Sequence, residues 1–351
     1  ELLRPTWRRH DGKRELGNGG GQGDAGGGGG LPNPNGSAAA PTQFIASVSR
    51  NGFLGGAWFS HTFPVKDVAV VNWGVRADTF DNGATVHTGQ VSPRINITIP
   101  TTDTSAVRFS YNYLFQAPPL EIDPTGNTVV FPQRTHMYEA SYDFQPAKSV
   151  AGRVALVYKD FHNQIDAGLL IPNSNIPVLA PVNFDRAYYK GAEVSFTSQN
   201  PTGWNGFLSG TLSVSKPTAP GPFSDEVPAY NDHDQRVQVT GGASYTWKNG
   251  WSASLDGLYG SGFPQEFIPL YNAVGIAPYG MVGSRFGRFI ANLRFGWTPR
   301  DADGKPKNGV GFGVTVQNLF DSRAVLNFLS EFSGTRWVQG RRVLVNGFFR
   351  F

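Results

Sequence analysis

Few residues in this 351-residue sequence have the types and spacing that catalysis requires. The six histidines are isolated, and none belongs to a His-Glu-x-x-His or similar metal-ligand pattern. There is no Gly-x-Ser-x-Gly nucleophile elbow, and no pair of carboxylates is spaced convincingly for acid–base work. The sequence therefore predicts a protein that is not an enzyme and that uses neither a cofactor nor a metal.

One acidic segment has the ligand chemistry of a cation site. It contains Asp225, Glu226, Asp232, His233 and Asp234. Carboxylate oxygens are the ligands that Ca²⁺ prefers. A solvated loop explains the same residues more simply, and we favour that interpretation.

Aromatic side chains in two long polar segments are the candidate ligand-binding residues. Phe267, Tyr271 and Tyr279 lie in one segment, and Trp337 ends the other. Such rings can stack on a sugar or a catechol. They can equally pack one loop against another, and we consider that the stronger explanation.

The composition excludes several classes of protein. Charged residues make up 16% of the chain, against roughly 25% in ordinary soluble domains, and cysteine is absent. No apolar run approaches the roughly 18–20 residues of a transmembrane helix, which excludes a helical membrane protein but not a barrel. The net charge of +4 is spread along the chain without a basic cluster, so no nucleic-acid partner is expected.

The chain divides into two parts by composition. Residues 1–42 are polar, and 17–30 are almost all glycine, so we predict a loop or a disordered segment, outside the cell if the chain is a barrel. No Gly-Lys-Ser/Thr follows a strand there, which argues against a phosphate-binding loop. Residues 43–351 form the second part, in which long alternating segments repeat.

Thirteen of these alternating segments are predicted to be strands. Their residues are 53–63, 68–80, 90–99, 105–116, 133–145, 149–163, 183–199, 204–215, 234–247, 251–261, 285–298, 309–318 and 338–351. Short and long connections alternate strictly between them, so all the short turns lie at one end. Most of the strands have 10–15 residues, whereas about 9–11 tilted residues cross a bilayer and soluble strands usually have five or six. The pattern predicts an all-β, antiparallel, up-and-down transmembrane β-barrel.

Aromatic residues crowd the short-turn end of the predicted strands. They are Phe63, Phe144, Trp204, Trp247, Trp251 and Trp297. Amphipathic rings favour the membrane–water interface, so we expect an aromatic girdle there. Buried core aromatics are the alternative, although core residues need not cluster beside turns.

The last strand has two chemically different faces. Val343, Val345, Gly347, Phe349 and Phe351 alternate with the polar and mixed positions between them. Taken alone, this segment fits a lipid-facing barrel strand and a half-buried strand of a soluble β-sandwich about equally. The twelve preceding strands favour the barrel, with Arg342, Asn346 and Arg350 then facing the lumen.

The number of predicted strands indicates whether the sequence holds all the strands of its barrel. The chain starts at Glu1, and no basic segment followed by an apolar one marks a signal peptide, so the chain is cytoplasmic or lacks its original start. Single-chain bacterial barrels normally have an even number of strands. We therefore expect upstream strands to be missing, unless a strand at 43–49 was overlooked.

Several short motifs resemble those in the barrels of TonB-dependent outer-membrane receptors. They are Asn-Trp-Gly-Val-Arg-Ala-Asp at 72–78, Val-Ser-Pro-Arg at 91–94, Phe-Ser-Tyr at 109–111, Phe-Gln-Ala-Pro-Pro-Leu at 115–120, Tyr-Lys-Gly-Ala-Glu at 189–193, Asp-His-Asp at 232–234, Gly-Leu-Tyr-Gly-Ser-Gly at 257–262, Val-Gln-Asn-Leu-Phe-Asp at 316–321, Gly-Arg at 340–341 and the terminal Phe351. Each motif is weak alone, but their order is specific, and the resemblance covers roughly residues 53–351.

This resemblance implies a 22-stranded barrel, filled by an N-terminal plug, in the bacterial outer membrane. Such a receptor imports a scarce large solute, such as an iron–siderophore complex, cobalamin or a glycan, with energy delivered through TonB. The chain departs from the family in showing about 13 strands and neither plug nor TonB box, so TonB would be reached only through the absent N-terminal region. The implied partners are outer-membrane lipid, lipopolysaccharide and the insertion machinery, which would read Phe349 and Phe351 as an assembly signal.

Two other functions remain open at this point. One is a passive porin or adhesin-type barrel, and the other is a soluble all-β binding protein. An upstream plug with a TonB box would favour the receptor, and dependence on detergent would exclude the soluble protein.

Overall fold

The structure is a computed structural model. It describes residues 52–83, 85–118, 130–170, 179–200, 203–220, 231, 234–264, 285–301, 304–330 and 334–351. Within these ranges the regular structure consists of strands, and no helix is long and apolar enough to cross a membrane. The segments 1–42 and 43–49 lie outside the described residues, so the predicted division of the chain at residue 43 remains a prediction.

Fifteen strands are formed by the described residues. They are β1 Phe53–Val65, β2 Ala69–Asp81, β3 His87–Thr102, β4 Ser105–Gln116, β5 Gln133–Ala147, β6 Val150–Leu170, β7 Leu179–Ser198, β8 Gly203–Ala219, β9 Val237–Thr246, β10 Trp251–Gly260, β11 Arg288–Trp297, β12 Gly309–Gln317, β13 Val325–Ser330, β14 Gly334–Trp337 and β15 Arg342–Arg350.

Thirteen of these strands form one antiparallel sheet in sequence order, from β1 to β12 and then β15. This confirms the predicted all-β, up-and-down architecture and its strand number. Each short connection is shorter than the two long connections beside it. This holds even for residues 298–308, the longest of the short connections, because the neighbouring connections 261–287 and 318–341 are much longer. The short turns therefore lie at one end of the sheet and the long loops at the other.

Local chemistry stabilises the short turns. Between β1 and β2 the Val68 amide donates to the Val65 carbonyl at 3.0 Å, with Lys66 at a φ of 46°. Between β9 and β10 the Gly250 amide donates to the Trp247 carbonyl at 3.1 Å. Gly250 has a φ of 95°, which an L side chain rarely adopts, so glycine is required at this turn.

The register places the alternating residues of successive strands on two shared faces. Val345 of β15 pairs with Val314 of β12, and the next residue, Asn346, pairs with Gly313. Strand after strand, the apolar alternating positions fall on one face, which we call the outer face, and most polar ones on the other, the inner face. Most of the buried strand residues belong to the inner face, including Asp78, Gln90, Ser92, Thr135 and Ser141.

Three features of the fold differ from the sequence prediction. Strand β6 continues to Leu170, seven residues beyond its predicted end at residue 163. The segment 319–337, predicted to be a loop, contains the hairpin of β13 and β14, which pairs Val325 with Trp337. These strands of six and four residues are too short to give an alternation signal. The last strand begins at Arg342 rather than at residue 338, because the preceding residues belong to the loop that follows this hairpin.

Candidate functional site

The outer face is a broad apolar wall. Large side chains that would be buried in a soluble protein are 39–76% exposed here: Phe59, Trp73, Ile95, Phe109, Leu156, Leu212, Leu255, Phe295 and Val345. Monomeric soluble proteins rarely expose apolar patches larger than a few hundred Å². A wall of this kind needs a hydrocarbon environment.

An aromatic girdle lines the short-turn end of this wall, as the sequence predicted. The rings of Trp204 and Tyr245 meet edge to face at 5.1 Å between centroids. Those of Trp251 and Phe295 stack at 4.9 Å. The indole of Trp297 donates to the Asn249 carbonyl at 3.1 Å, so its polar edge reaches the turn. Contact with both apolar neighbours and polar backbone is what an interfacial ring requires.

A second aromatic belt, missed by sequence reasoning, crosses the same face towards the loop end. Ring centroids of Tyr111 and Tyr138 are 5.2 Å apart, and those of Tyr138 and Tyr158 are 6.2 Å apart. Tyr113 stacks on His136 at 4.2 Å. The register alone shows that Tyr111, Tyr138 and Tyr158 form one row across β4, β5 and β6, with Tyr113 and His136 in the next row. Barrels of this kind carry girdles at both interfaces.

Charged side chains on the inner face pair across strands. Arg108 Nε of β4 lies 2.5 Å from Asp143 Oδ2 of β5, and Arg153 Nη1 of β6 lies 3.4 Å from Asp143 Oδ1. Arg153 also pairs with Glu139. These four residues form one network over three strands, which fixes a pattern of charge on the polar side of the wall.

Two other arginines lie on the same polar face. Arg76 Nη2 lies 2.7 Å from Asp78 Oδ1, whose side chain is 3% exposed. Arg94 has no acidic partner among the described residues, although its guanidinium lies beside Gly74. Arg76 and Arg108 are thus both paired with acids on the inner face.

The acidic segment considered as a cation site has one member in the described ranges. The Asp234 side chain is 1% exposed, and its Oδ2 lies 2.8 Å from both Arg236 Nε and Arg285 Nη2. Its other oxygen accepts the Ser215 amide at 2.8 Å. Asp234 therefore anchors the loop bases of β8, β9 and β11 and is not free for Ca²⁺. Within the described residues there is no group of three metal-ligating side chains.

The Asn-Leu-Phe-Asp motif at 318–321 joins the end of β12 to the start of β15. The Asn318 amide group donates to the carbonyls of Ser322 and Gln339 at 2.9 and 2.8 Å. The Arg341 amide donates to Asp321 Oδ1 at 2.8 Å, and this bond lowers the pKa of the Asp321 carboxyl below its usual range. The motif is a loop clamp in this structure.

The predicted binding residues are only partly placed. Phe267, Tyr271 and Tyr279 lie outside the described residues. Trp337 ends β14 and is 58% exposed, so its ring is accessible at the loop end. At the other end of the wall, Phe349 and Phe351 meet edge to face at 5.1 Å and are 57% and 93% exposed. Their role as an assembly signal remains a prediction.

The apolar outer face, the charged inner face and the aromatic girdles together identify this sheet as the wall of an outer-membrane β-barrel. The family described as "TonB dependent receptor-like, beta-barrel" matches residues 6–323. The chain belongs to this family, which comprises receptors and transporters of the Gram-negative outer membrane, and the outer membrane is therefore its location. A comparison with curated protein sequences finds no match.

Solved structures share the fold at low sequence identity. The FrpB iron transporter from Neisseria meningitidis (F5-1 variant, apoprotein) has a TM-score of 0.64 at 15% identity, covering 87% of this chain and 46% of that one. The ferric-catecholate import receptor Fiu from E. coli K12 has 0.63 at 13%, covering 86% and 45%. The ferripyoverdine receptor of Pseudomonas aeruginosa has 0.63 at 14%, covering 85% and 38%. The chain thus spans less than half the length of each of these relatives.

Proposed function

We propose that this chain is the wall portion of a receptor that imports a scarce large solute, with energy delivered through TonB. The match of residues 6–323 to the family carries the proposal. The wall supports it, since its outer face suits lipid and its inner face carries a fixed set of paired charges that a solute or a plug would meet.

The iron–siderophore class is the first substrate to test. The three solved structures above are named for iron, ferric catecholate and ferripyoverdine, respectively. A catechol or other flat chelator would stack on exposed loop rings such as Trp337. Cobalamin and glycans are the other solutes in the proposal, and they are tested in the same way.

The remaining parts of the proposal concern the orientation of the chain in the outer membrane and the molecules around it. The long loops face the exterior and the short turns face the periplasm, as in other outer-membrane barrels. Residues 1–42 form an exterior loop segment before the wall, residues 43–351. Lipopolysaccharide surrounds the loop end, and the insertion machinery reads the terminal strand with Phe349 and Phe351.

The test is uptake by the full-length protein in cells that lack their other iron receptors. We expect a ⁵⁵Fe-siderophore to accumulate with the receptor present, and accumulation to stop when TonB is deleted. Accumulation that persists without TonB would show a passive porin instead. If none of the three solute classes is bound or taken up by correctly assembled protein, the receptor function is wrong.

A further inference from the structure

Trp58 of β1 places a large ring on the polar inner face of the wall. It is 51% exposed, and its side chain makes no ring contact, cation–π contact or hydrogen bond with the described residues. Phe207 and Phe348 on the same face differ, because each lies over a glycine of the neighbouring strand. The surface of the Trp58 ring is therefore available to a bound molecule.

Arg94 of β3 is a second group on this face without a partner among the described residues. Its guanidinium pairs with no acid there and makes no hydrogen bond to them. A Cβ atom at Gly74 would meet Arg94 Nε at 3.0 Å and Ser60 Cβ at 3.1 Å. Arg94 therefore lies over Gly74, in the register row that continues to Ser60 of β1. This row is next to that of Trp58, so the free cation and the free ring are neighbours.

Arg76 of β2 completes a group that we call the lumenal site, which consists of Trp58, Arg76 and Arg94. Arg76 is directly opposite Trp58 in the register. Its Nε lies 2.8 and 2.9 Å from the two carboxylate oxygens of Asp78, yet the arginine side chain is still 57% exposed. Two guanidinium groups thus share one carboxylate, and the remaining positive charge favours an anion.

Two glycines form the floor of the lumenal site. A Cβ atom at Gly56 would meet Asp78 Oδ1 at 2.7 Å and Arg76 Nη2 at 3.1 Å, so this ion pair lies directly over the glycine. Gly74 has the same relation to Arg94. Because neither glycine has a side chain, both arginines lie close to the sheet, and a flat molecule has room to lie over them beside the ring.

The lumenal site is closer to the loops than to the short turns. Trp58, Arg76 and Arg94 fall in the loop-end halves of β1, β2 and β3, respectively. Arg108 and Arg153, by contrast, are paired with acids and lie near the short turns. In the orientation of the proposed function, the lumenal site lies in the half of the wall that an incoming solute meets first.

We propose that the lumenal site binds a planar aromatic carboxylate group of the imported solute. A guanidinium group matches a carboxylate in charge and shape, since the two planar groups can form a pair of parallel hydrogen bonds. The indole of Trp58 stacks on the aromatic ring. A neutral sugar would leave the free cation unused, and an aliphatic carboxylate would leave the indole unused. This inference rests on the proposed function and names the chemical class that the wall selects.

The experiment measures equilibrium binding of naphthoate, a planar aromatic carboxylate, to the full-length protein in nanodiscs. Arg94→Gln should weaken binding by roughly tenfold or more, the usual effect of losing one charge-assisted hydrogen bond. Trp58→Leu should weaken it by about threefold, because stacking is lost. The unmodified protein should bind uncharged naphthylmethanol and non-aromatic decalin carboxylate more weakly than naphthoate.

The matched control variants are Trp73→Leu and Arg294→Gln. Trp73 lies on the outer face of β2 and is 41% exposed, and Arg294 lies on the inner face of β11, at the other side of the sheet. Both variants should bind naphthoate as the unmodified protein does.

Equal affinity of the unmodified protein for naphthoate and naphthylmethanol would overturn the inference, even if a variant fails to assemble. Equal losses for the Arg94 and Arg294 variants would also overturn it. A plug that covers the site is the other occupant to test, and Trp58→Cys in the full-length protein would then fail to react with a water-soluble maleimide, which contradicts the inference. Because binding is measured, loss of solute import with naphthoate binding intact counts only against the proposed function.

Discussion

The ring of Phe348 in β15 lies directly over Gly311, its cross-strand partner in β12. A Cβ atom at residue 311 would overlap the ring, so Phe348 takes this position only because its partner is glycine. The same pairing recurs between Phe144 and Gly152. Gly311→Ala should destabilise the wall by about 1–3 kcal/mol, which is the usual cost of overpacking. Urea unfolding of the reconstituted protein measures this loss.

The neighbouring Gly347 provides the control for this prediction. A Cβ there would meet only the Gly311 carbonyl, at 3.9 Å, so Gly347→Ala should have little effect. Gly311→Ala combined with Phe348→Ala should cost less than the sum of the two single changes. Additive costs would show that the ring does not constrain residue 311.

The charge network of the inner face should contribute measurably to stability. Arg153→Met removes the partner of Glu139 and Asp143, and we expect a loss of about 1 kcal/mol, discounted because the Arg153 side chain is 39% exposed. The loss should shrink as salt rises, since salt screens exposed charges. Arg94→Met is the control, and an equal, salt-independent loss for both variants would argue against the network.

Sequence patterns predicted the sheet well because alternation within a strand is local information. Twelve of the thirteen sheet strands were placed within four residues at each end, and Ser105–Gln116 was placed with its observed ends, whereas β6 continues seven residues beyond its predicted end. The apolar residues of β15 fell on the predicted face because its side chains alternate with period two.

The contacts between strands could not be predicted in the same way. The Arg153–Glu139 pair joins residues fourteen positions apart, and nothing in either strand specifies the register that brings them together. The tyrosine belt and the lumenal site depend on the same long-range information. Asp234 was considered with its acidic sequence neighbours, whereas its partner Arg285 lies 51 residues away.

Acid should loosen the clamp between Asp321 and β15. The Arg341 amide bonded to the carboxylate lowers the pKa of Asp321 in the folded state. Because this pKa is lower than that of the unfolded chain, about 4, the clamp is fully stabilising at pH values above the unfolded-state pKa. Its contribution is lost as the pH falls through the pKa of Asp321 in the folded state. Hydrogen exchange at the Arg341 amide should accelerate over this acidic range, after correction for intrinsic rates.

Asp321→Asn is the comparison for this acid transition. The amide oxygen keeps an acceptor for Arg341 but does not titrate, so exchange in the variant should lack the acid-dependent step. Identical pH profiles for the two proteins would show that another group is responsible.

A lysine at Val345 should impair assembly far more than one at Asn346. Val345 is 76% exposed on the outer face, whereas Asn346 lies on the inner face beside Gly313. A cation on the lipid side of a barrel costs about 2–4 kcal/mol near the midplane, and a lumenal one costs little. The folded fraction in outer membranes, read from heat-modifiable migration, should fall for Val345→Lys only. Equal losses would mean that the two faces are assigned incorrectly.

The central claim is that one face of this sheet contacts lipid and the other contacts water. The chain lacks cysteine, so single cysteines can be placed without background. Leu255 and Ser254 are neighbours in the middle of β10 and lie on the outer and inner faces, respectively. In intact outer membranes, Ser254→Cys should react with a water-soluble maleimide, whereas Leu255→Cys should react only after the membrane is dissolved and the protein unfolded. Equal labelling of the two cysteines in intact membranes would contradict the account.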